Sequence, residues 1–192
     1  MTARRNCIFG GAIMLILFSG CDQQLRQNRQ DFSKTNVISI ALGDTEKEYQ
    51  TGLRHLFFEK DGLTTPADLD GLQCRCLRLE EAEVGYMYFA IDPTFKKRAV
   101  RKVVITAECF DEKPGLIGIQ YDASKSKSDL NRAYTGVAHF AQLTGSKEWR
   151  TVAFEINDAT FRNSQNSRSD FRLCVTPPQI CVRQVTVMRP KP

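Results

Sequence analysis

Histidine is almost missing from this chain: of 192 residues only His55 and His139 carry an imidazole, and their separation fits no metal-binding motif. There is no Gly-x-Ser-x-Gly elbow and no glycine-rich phosphate loop, which removes the familiar serine-hydrolase and nucleotide-binding chemistries. The 12 glycines and 7 prolines follow no period, so a collagen-like or low-complexity chain is excluded. Long hydrophobic runs are lacking as well. The one apolar stretch, from Cys7 or Ile8 to Phe18, is about 11 residues, whereas a spanning helix needs roughly 20, so a multi-pass membrane protein is excluded. What is present, 42% hydrophobic and 26% charged residues, suffices for one globular domain with a tail.

That apolar stretch follows Arg4 and Arg5 and ends at Ser19, Gly20 and Cys21, the layout of an export signal. Phe18-Ser19-Gly20-Cys21 resembles the lipobox of bacterial lipoproteins, with phenylalanine where that family usually has leucine. The resemblance implies a signal peptide over 1–20, a lipidated Cys21 as mature N-terminus, and acyl chains that hold the protein on a bilayer. Each buried methylene adds about 0.8 kcal/mol of membrane affinity. Ordinary secretion or an uncleaved anchor are the alternatives. The implied location is the bacterial cell envelope, facing the periplasm or the cell surface. Asp22 resembles the inner-membrane retention signal of enteric lipoproteins.

Without Arg4 and Arg5, 25 basic residues face 22 acidic ones, too even a balance for nucleic acid. The one basic run is Lys96, Lys97, Arg98, Arg101 and Lys102. It reads as a solvated loop and strand start, with contact to anionic headgroups or acidic polysaccharide as the sharper alternative.

Of seven cysteines, Cys7 leaves with the signal and Cys21 is acylated, so five remain. In an oxidising compartment disulfides are the default. Cys174 and Cys181 flank a Pro177-Pro178 turn and are the expected pair, with a small ring stabilising by on the order of 2.5 kcal/mol. Cys109 with Cys74 or Cys76 would make a second bridge and leave one thiol over. Cys74 and Cys76 put two sulfurs on one strand face, a zinc or copper arrangement without the further ligands such a site needs.

Residues 21–36, rich in Gln, Arg and Asn, read as a lipidated flexible tether, and 37–190 as the folded domain. From Val37 onward the pattern has period two. Cys74–Leu79 alternates, Tyr86–Ile91 is apolar on both faces, and Val103, Ile105, Ala107 and Cys109 share one side of their run. Leu116–Tyr121, Tyr134–Phe140, Trp149–Ile156, Phe171–Val175 and Val182–Met188 complete about nine short strands; within 45–59 the only helical signal is Glu46-Lys47-Glu48-Tyr49, which Gly52 interrupts. The expected fold is all-β, an antiparallel two-sheet β-sandwich of jelly-roll type.

Acids stand at Asp92, Glu108, Asp111, Glu112 and Asp122, but nothing selects the pair that glycoside hydrolysis needs, and no catalytic residue is expected. Sugar binding asks for aromatic faces with amides or carboxylates beside them. Tyr86, Tyr88, Tyr121, Tyr134, Trp149 and the loop Asn163 to Asp170 supply both.

The succession Tyr86-Met87-Tyr88-Phe89-x-Ile91-Asp92, Val104-x-Thr106-x-Glu108-x-Phe110-Asp111 and Gly118-x-Gln120-Tyr121-Asp122 resembles a jelly-roll domain of bacterial secreted and polysaccharide-associated proteins. Thr144-Gly145, Trp149-Arg150-Thr151, Asp158-Ala159-x-Phe161-x-Asn163-x-Gln165-Asn166 and Asp170-Phe171-Arg172-Leu173 continue the likeness, which covers roughly residues 56 to 188. The family resembled is the galactose-binding-like sandwiches, to which many carbohydrate-binding modules belong. The resemblance implies a non-catalytic domain binding polysaccharide or another envelope component, with Tyr88, Tyr121, Asp122, Trp149, Asn163, Gln165, Asn166 and Asp170 as ligand contacts. It leaves open a structural calcium at Asp61, Asp122 or Asp170, although no calcium-loop motif is present. The rivals are a structural or protein-interaction lipoprotein with an envelope-protein partner, and an accessory domain beside polysaccharide-degrading or polysaccharide-synthesising enzymes.

Overall fold

The structure is a computed structural model that describes residues 30–44, 49–98, 100–123, 133–136 and 139–190. The signal peptide, Cys21 and the short helix expected at Glu46 to Tyr49 fall outside the described residues, apart from the backbone of Tyr49.

Period-two patterning produces two antiparallel sheets. The first contains β1 (Val37–Ala41), β2 (Tyr49–Thr51), β4 (Thr64–Leu69), β5 (Leu72–Arg78), β7 (Val103–Phe110), β11 (Trp149–Ile156) and β13 (Gln179–Met188). Its order is β11-β7-β13-β1-β2, with the β4-β5 hairpin joined through β5 to β13. The second contains β3 (Leu53–Leu56), β6 (Gly85–Ile91), β8 (Pro114–Tyr121), β9 (Thr135–Gly136), β10 (Ala141–Thr144) and β12 (Phe171–Thr176), in the order β10-β8-β12-β6-β3, with β9 on β8.

The core lies between the sheets. Strict alternation on β7 sends Val103, Ile105, Ala107 and Cys109 inward, where they meet Met87, Phe89 and Ile91 of β6 and Phe171, Leu173 and Val175 of β12. Inward side chains in such a sandwich bury about 1.5–3 kcal/mol of hydrophobic free energy each. The expected all-β two-sheet sandwich is the fold observed. Thirteen strands are found among the described residues, more than the nine expected, and most of the expected ones are as long as the runs that announced them or longer. Within the run Tyr134–Phe140 the only strand among the described residues is β9, and β2, β3, β4 and β10 answer to no expected run.

Gly52 explains part of this. It has φ of 82°, and a Cβ there would lie 2.6 Å from Ile38 Cγ2 and 3.0 Å from the Phe32 ring. Only glycine accepts both conditions without strain. At Gly52 the chain passes from β2 in the first sheet to β3 in the second, so the interruption of a helix pattern is a change of sheet.

Two expectations need correction. The folded domain begins before Val37: Phe32, expected in the tether, is buried in the core, and its backbone N–H donates to Thr94 Oγ1 at 2.9 Å. The disulfide joins Cys76 to Cys181, with Cys174 free. The reason is topological. The Pro177-Pro178 turn carries the chain from β12 in the second sheet to β13 in the first, so the strands flanking it are not paired. Cys181 instead lies directly opposite Cys76 in the β13-β5 ladder, at 4.0 Å between Cα atoms. Cys74 and Cys109 are buried free thiols, and burial raises both, Cys109 to about 11. The sulfurs of Cys74, Cys76 and Cys181 lie within 4.8 Å of one another, but two of them are spent on the bridge.

Candidate functional site

The outer face of the second sheet carries the densest group of aromatic and hydrogen-bonding side chains. Register decides its membership. Arg172 pairs with Tyr88 on β6 and Gln120 on β8, and Cys174 pairs with Tyr86 and Gly118. Because antiparallel partners point to the same side, all of these face outward while Phe171, Leu173 and Val175 face the core.

Arg172 is the hub. Its guanidinium carbon stands 3.6 Å from the centre of the Tyr86 ring and 4.3 Å from that of Tyr134, a cation-π stack on two sides. Nε donates to Gln120 Oε1 at 2.8 Å, and Nη1 donates to the Tyr88 hydroxyl oxygen at 2.9 Å. The Tyr88 hydroxyl in turn donates to Asp61 Oδ1 at 2.8 Å and accepts from Asn166 Nδ2 at 3.3 Å. The Tyr134 hydroxyl donates to Asn166 Oδ1 at 3.0 Å. Burial and the Asp61 bond push the Tyr88 phenol up to about 12, so it remains a donor at neutral pH. Cys174, beside the stack, is raised to about 12 by burial and is not a nucleophile.

Phe140 extends this surface. It is 59% exposed and lies against Gly118, where a Cβ would come 2.4 Å from its ring. Tyr86 and Gly118 are separated by β12, so two strand spacings, about 10 Å, lie between them. The half-buried Tyr86 and Tyr134 and the exposed Phe140 thus share one face with a fixed cation and an amide.

The eight residues expected to touch ligand divide into unlike groups. Tyr88 and Asn166 belong to this network, and Gln165 supports it from beneath by donating to the carbonyls of Gln120 and Ala133. Tyr121 and Asp122 do not belong. Tyr121 points into the core, with its hydroxyl on Asp158 at 2.6 Å. Asp122 is fully buried and accepts from Thr160, from the backbone of Arg162 and from its guanidinium. Burial alone would raise its pKa, but the Arg162 and Thr160 bonds outweigh that and hold it below the ordinary carboxylate range. Asp170 and Asn163 form a second such knot: Asp170 accepts from Lys96, from the backbone of Ile91 and from Asn163. Trp149 stands on the other sheet, against Phe110 and beneath the Arg183 guanidinium. Arg172, Gln120, Asp61 and Phe140 were not among the expected contacts.

A structural calcium does not fit these aspartates. Asp122 and Asp170 each direct both carboxylate oxygens at an arginine or lysine cation, and Asp61 is engaged by a phenol. Calcium needs six to eight converging oxygens. A separate cleft of about 570 Å³ is lined by Tyr121, His139, Phe154, Glu155 and Asp158, but its Asp158 already holds the Tyr121 hydroxyl.

No protein-family profile and no curated protein sequence matches this chain. Among solved structures it is similar to CBM29_1, a family 29 carbohydrate-binding module from Piromyces equi, at 12% identity and TM-score 0.47, covering 80% of this chain and 91% of that one. It is also similar to the CBM22-1–GH10 modules of Clostridium thermocellum xylanase 10B complexed with xylohexaose, at 10% identity and TM-score 0.45, covering 73% of this chain and 26% of that one. A third is the K1 cleaved adhesin domain of Lys-gingipain from Porphyromonas gingivalis W83, at 9% identity and TM-score 0.44, covering 81% and 99%. The strand pairing of the chain itself establishes the antiparallel two-sheet sandwich.

Proposed function

We propose that the protein is a non-catalytic, membrane-tethered lipoprotein that binds polysaccharide on the outer face of its second sheet. The observation that carries this reading is the grouping of Tyr86, Tyr134 and Phe140 on that face, with Arg172 locked between the two tyrosines. Sugar rings offer apolar C–H faces edged by hydroxyls, and a rigid aromatic surface beside an amide and a guanidinium complements both. Preorganisation helps: Arg172 is already held by Gln120 and Tyr88, so little ordering entropy is lost on binding.

The test is retention on insoluble polysaccharides and on a glycan array. The wild-type chain is expected to be retained by at least one glycan. Phe140→Ala and Tyr134→Ala are each expected to weaken retention by roughly tenfold, the scale of one lost stacking contact. Trp149→Ala, on the other sheet, serves as the control and binds as wild type. Equal retention of all variants, or none by wild type, would sink the reading. A second reading, a protein-docking face, draws on Leu116, which is 46% exposed on the same surface. Co-purification of an envelope protein without glycan binding would select it.

The tether belongs to the same proposal and is supported by the likeness of Phe18-Ser19-Gly20-Cys21 to a lipobox. The intact mass of the chain extracted from membranes is expected to match a mature protein beginning at Cys21 with added acyl chains. A mass that retains Met1, or one without lipid, would remove the anchor.

A further inference from the structure

The basic run singled out in the sequence does not act as one unit in the fold. Lys96 is drawn into the Asp170 knot, and Lys97 faces Asp31 at 3.7 Å. The remaining members, Arg98, Arg101 and Lys102, lie at the end of the sandwich where the described residues begin. There, with Lys34, they surround a groove of about 580 Å³ whose floor includes Arg189. Five cations and no carboxylate are among the described residues lining it.

Arg189 fixes the character of the groove. It is 6% exposed, its guanidinium lies 3.7 Å from the centre of the Phe95 ring, and it donates to the carbonyls of Thr35 and Phe95. Its Nε is buried without a hydrogen-bond partner among the described residues. A cation held by carbonyls and an arene, beneath other cations, keeps its full charge uncompensated by any anion in the groove. Beside the groove the surface turns apolar. Val37 and Met188 are direct partners in the β1-β13 ladder and are 48% and 40% exposed, and Val104 continues the row on β7.

We propose that this end of the sandwich docks on an anionic bilayer, with Lys34, Arg98, Arg101 and Lys102 binding lipid phosphates and Val37 and Met188 entering the headgroup region. Charge complementarity supports a phosphate-bearing surface, and the adjoining apolar pair suits the boundary between headgroups and acyl chains. Chain length supports it too. The proposed anchor is Cys21, and the 9 residues from there to Gln30 span at most about 30 Å. A membrane-held N-terminus therefore keeps this end close to the bilayer, where a weak site becomes effective by high local concentration. The chain-length argument rests on the proposed tether, but the proposed glycan face lies on different residues of the other sheet, so loss of glycan retention and loss of bilayer protection are read separately.

The experiment uses the full chain with vesicles of phosphatidylcholine alone or mixed with phosphatidylglycerol, read by hydrogen exchange of the amides in 34–38 and 100–104. Exchange is expected to slow by roughly tenfold on the mixed vesicles relative to the neutral ones, and the protection is expected to vanish in high salt. The triple variant Arg98→Glu, Arg101→Glu, Lys102→Glu changes exposed side chains, so it should fold, shown by an unchanged thermal transition, and lose the protection. Equal exchange on both vesicles would overturn the proposal. So would protection by free inorganic phosphate with none added by the anionic vesicles, which would mark a small-anion pocket instead.

Discussion

Replacing both Cys76 and Cys181 with alanine is expected to lower the unfolding free energy by about 4–5 kcal/mol, the chain-entropy value for a loop of roughly this length. The two residues are 105 positions apart, so the bridge constrains more than half of the unfolded chain. The 7-residue spacing of the pairing expected from sequence would have given only about half as much. The position adds a second effect. The β4-β5 hairpin reaches the first sheet only through the short β5-β13 ladder, and the bridge lies within that ladder. Its loss should therefore make the hairpin amides the first to exchange. The double variant is required because Cys74 Sγ lies 4.0 Å from Cys76 Sγ and could substitute for it in a single variant. Urea denaturation gives the stability change, and a non-reducing peptide map gives the pairing. A fragment linking residue 174 to residue 181, or a stability loss under about 1 kcal/mol, would contradict the ladder described here.

The same bridge shows where the sequence stops being legible. Alternation along a single strand identifies the inward residues of β7, because a period of two is a local property that burial on one face imposes, whereas β6, apolar on both faces, is legible only as a central strand. It also put Cys74 and Cys76 on the face opposite Leu77, as found. Which strand lies beside which is not local. Cys174 and Cys181 look like a hairpin pair until the turn between them proves to cross from one sheet to the other. The candidate face was half visible for the same reason. Tyr86, Tyr88 and Tyr134 stand out as aromatics, whereas Arg172 reads as an ordinary outward residue until β12 is placed between β6 and β8. Asp122 and Asp170 misled in the opposite direction. A strand-end aspartate beside polar loop residues has the composition of a binding site, yet here each ties its own loop to the sandwich. Gly52 reads in the sequence as the interruption of a short helix, because a left-handed glycine at a sheet crossing leaves no separate mark there.

His55 is expected to make the fold acid-sensitive well above the carboxylate range. Its side chain is buried on β3, packed edge-on to Phe57 at 4.8 Å and tilted against Phe89 at 5.4 Å. Neither ring nitrogen has a hydrogen-bond partner among the described residues. Burial, and then the charge of the neighbouring Arg75, hold its pKa down to about 3 from the ordinary 6.5. Arg75 cannot swing away easily, since it is itself buried, stacked on Phe57 and bonded to Thr64 and to the Gly43 carbonyl. The unfolded chain takes up the proton near pH 6.5 while the folded chain refuses it until about 3. Between those values the unfolded state binds more protons, so stability is full above the upper one and falls with falling pH. The slope approaches about 1.4 kcal/mol per pH unit, which makes the loss from pH 7 to 4 about 3 kcal/mol. Asp170, whose pKa is raised by burial against the opposing pull of Lys96, contributes with the opposite sign but is present in every variant compared. His55→Leu keeps an apolar side chain of similar volume and removes the titration. Urea midpoints measured across this range should fall steeply for the wild-type chain and only weakly for His55→Leu, and parallel curves would show that the imidazole is not held neutral by its surroundings.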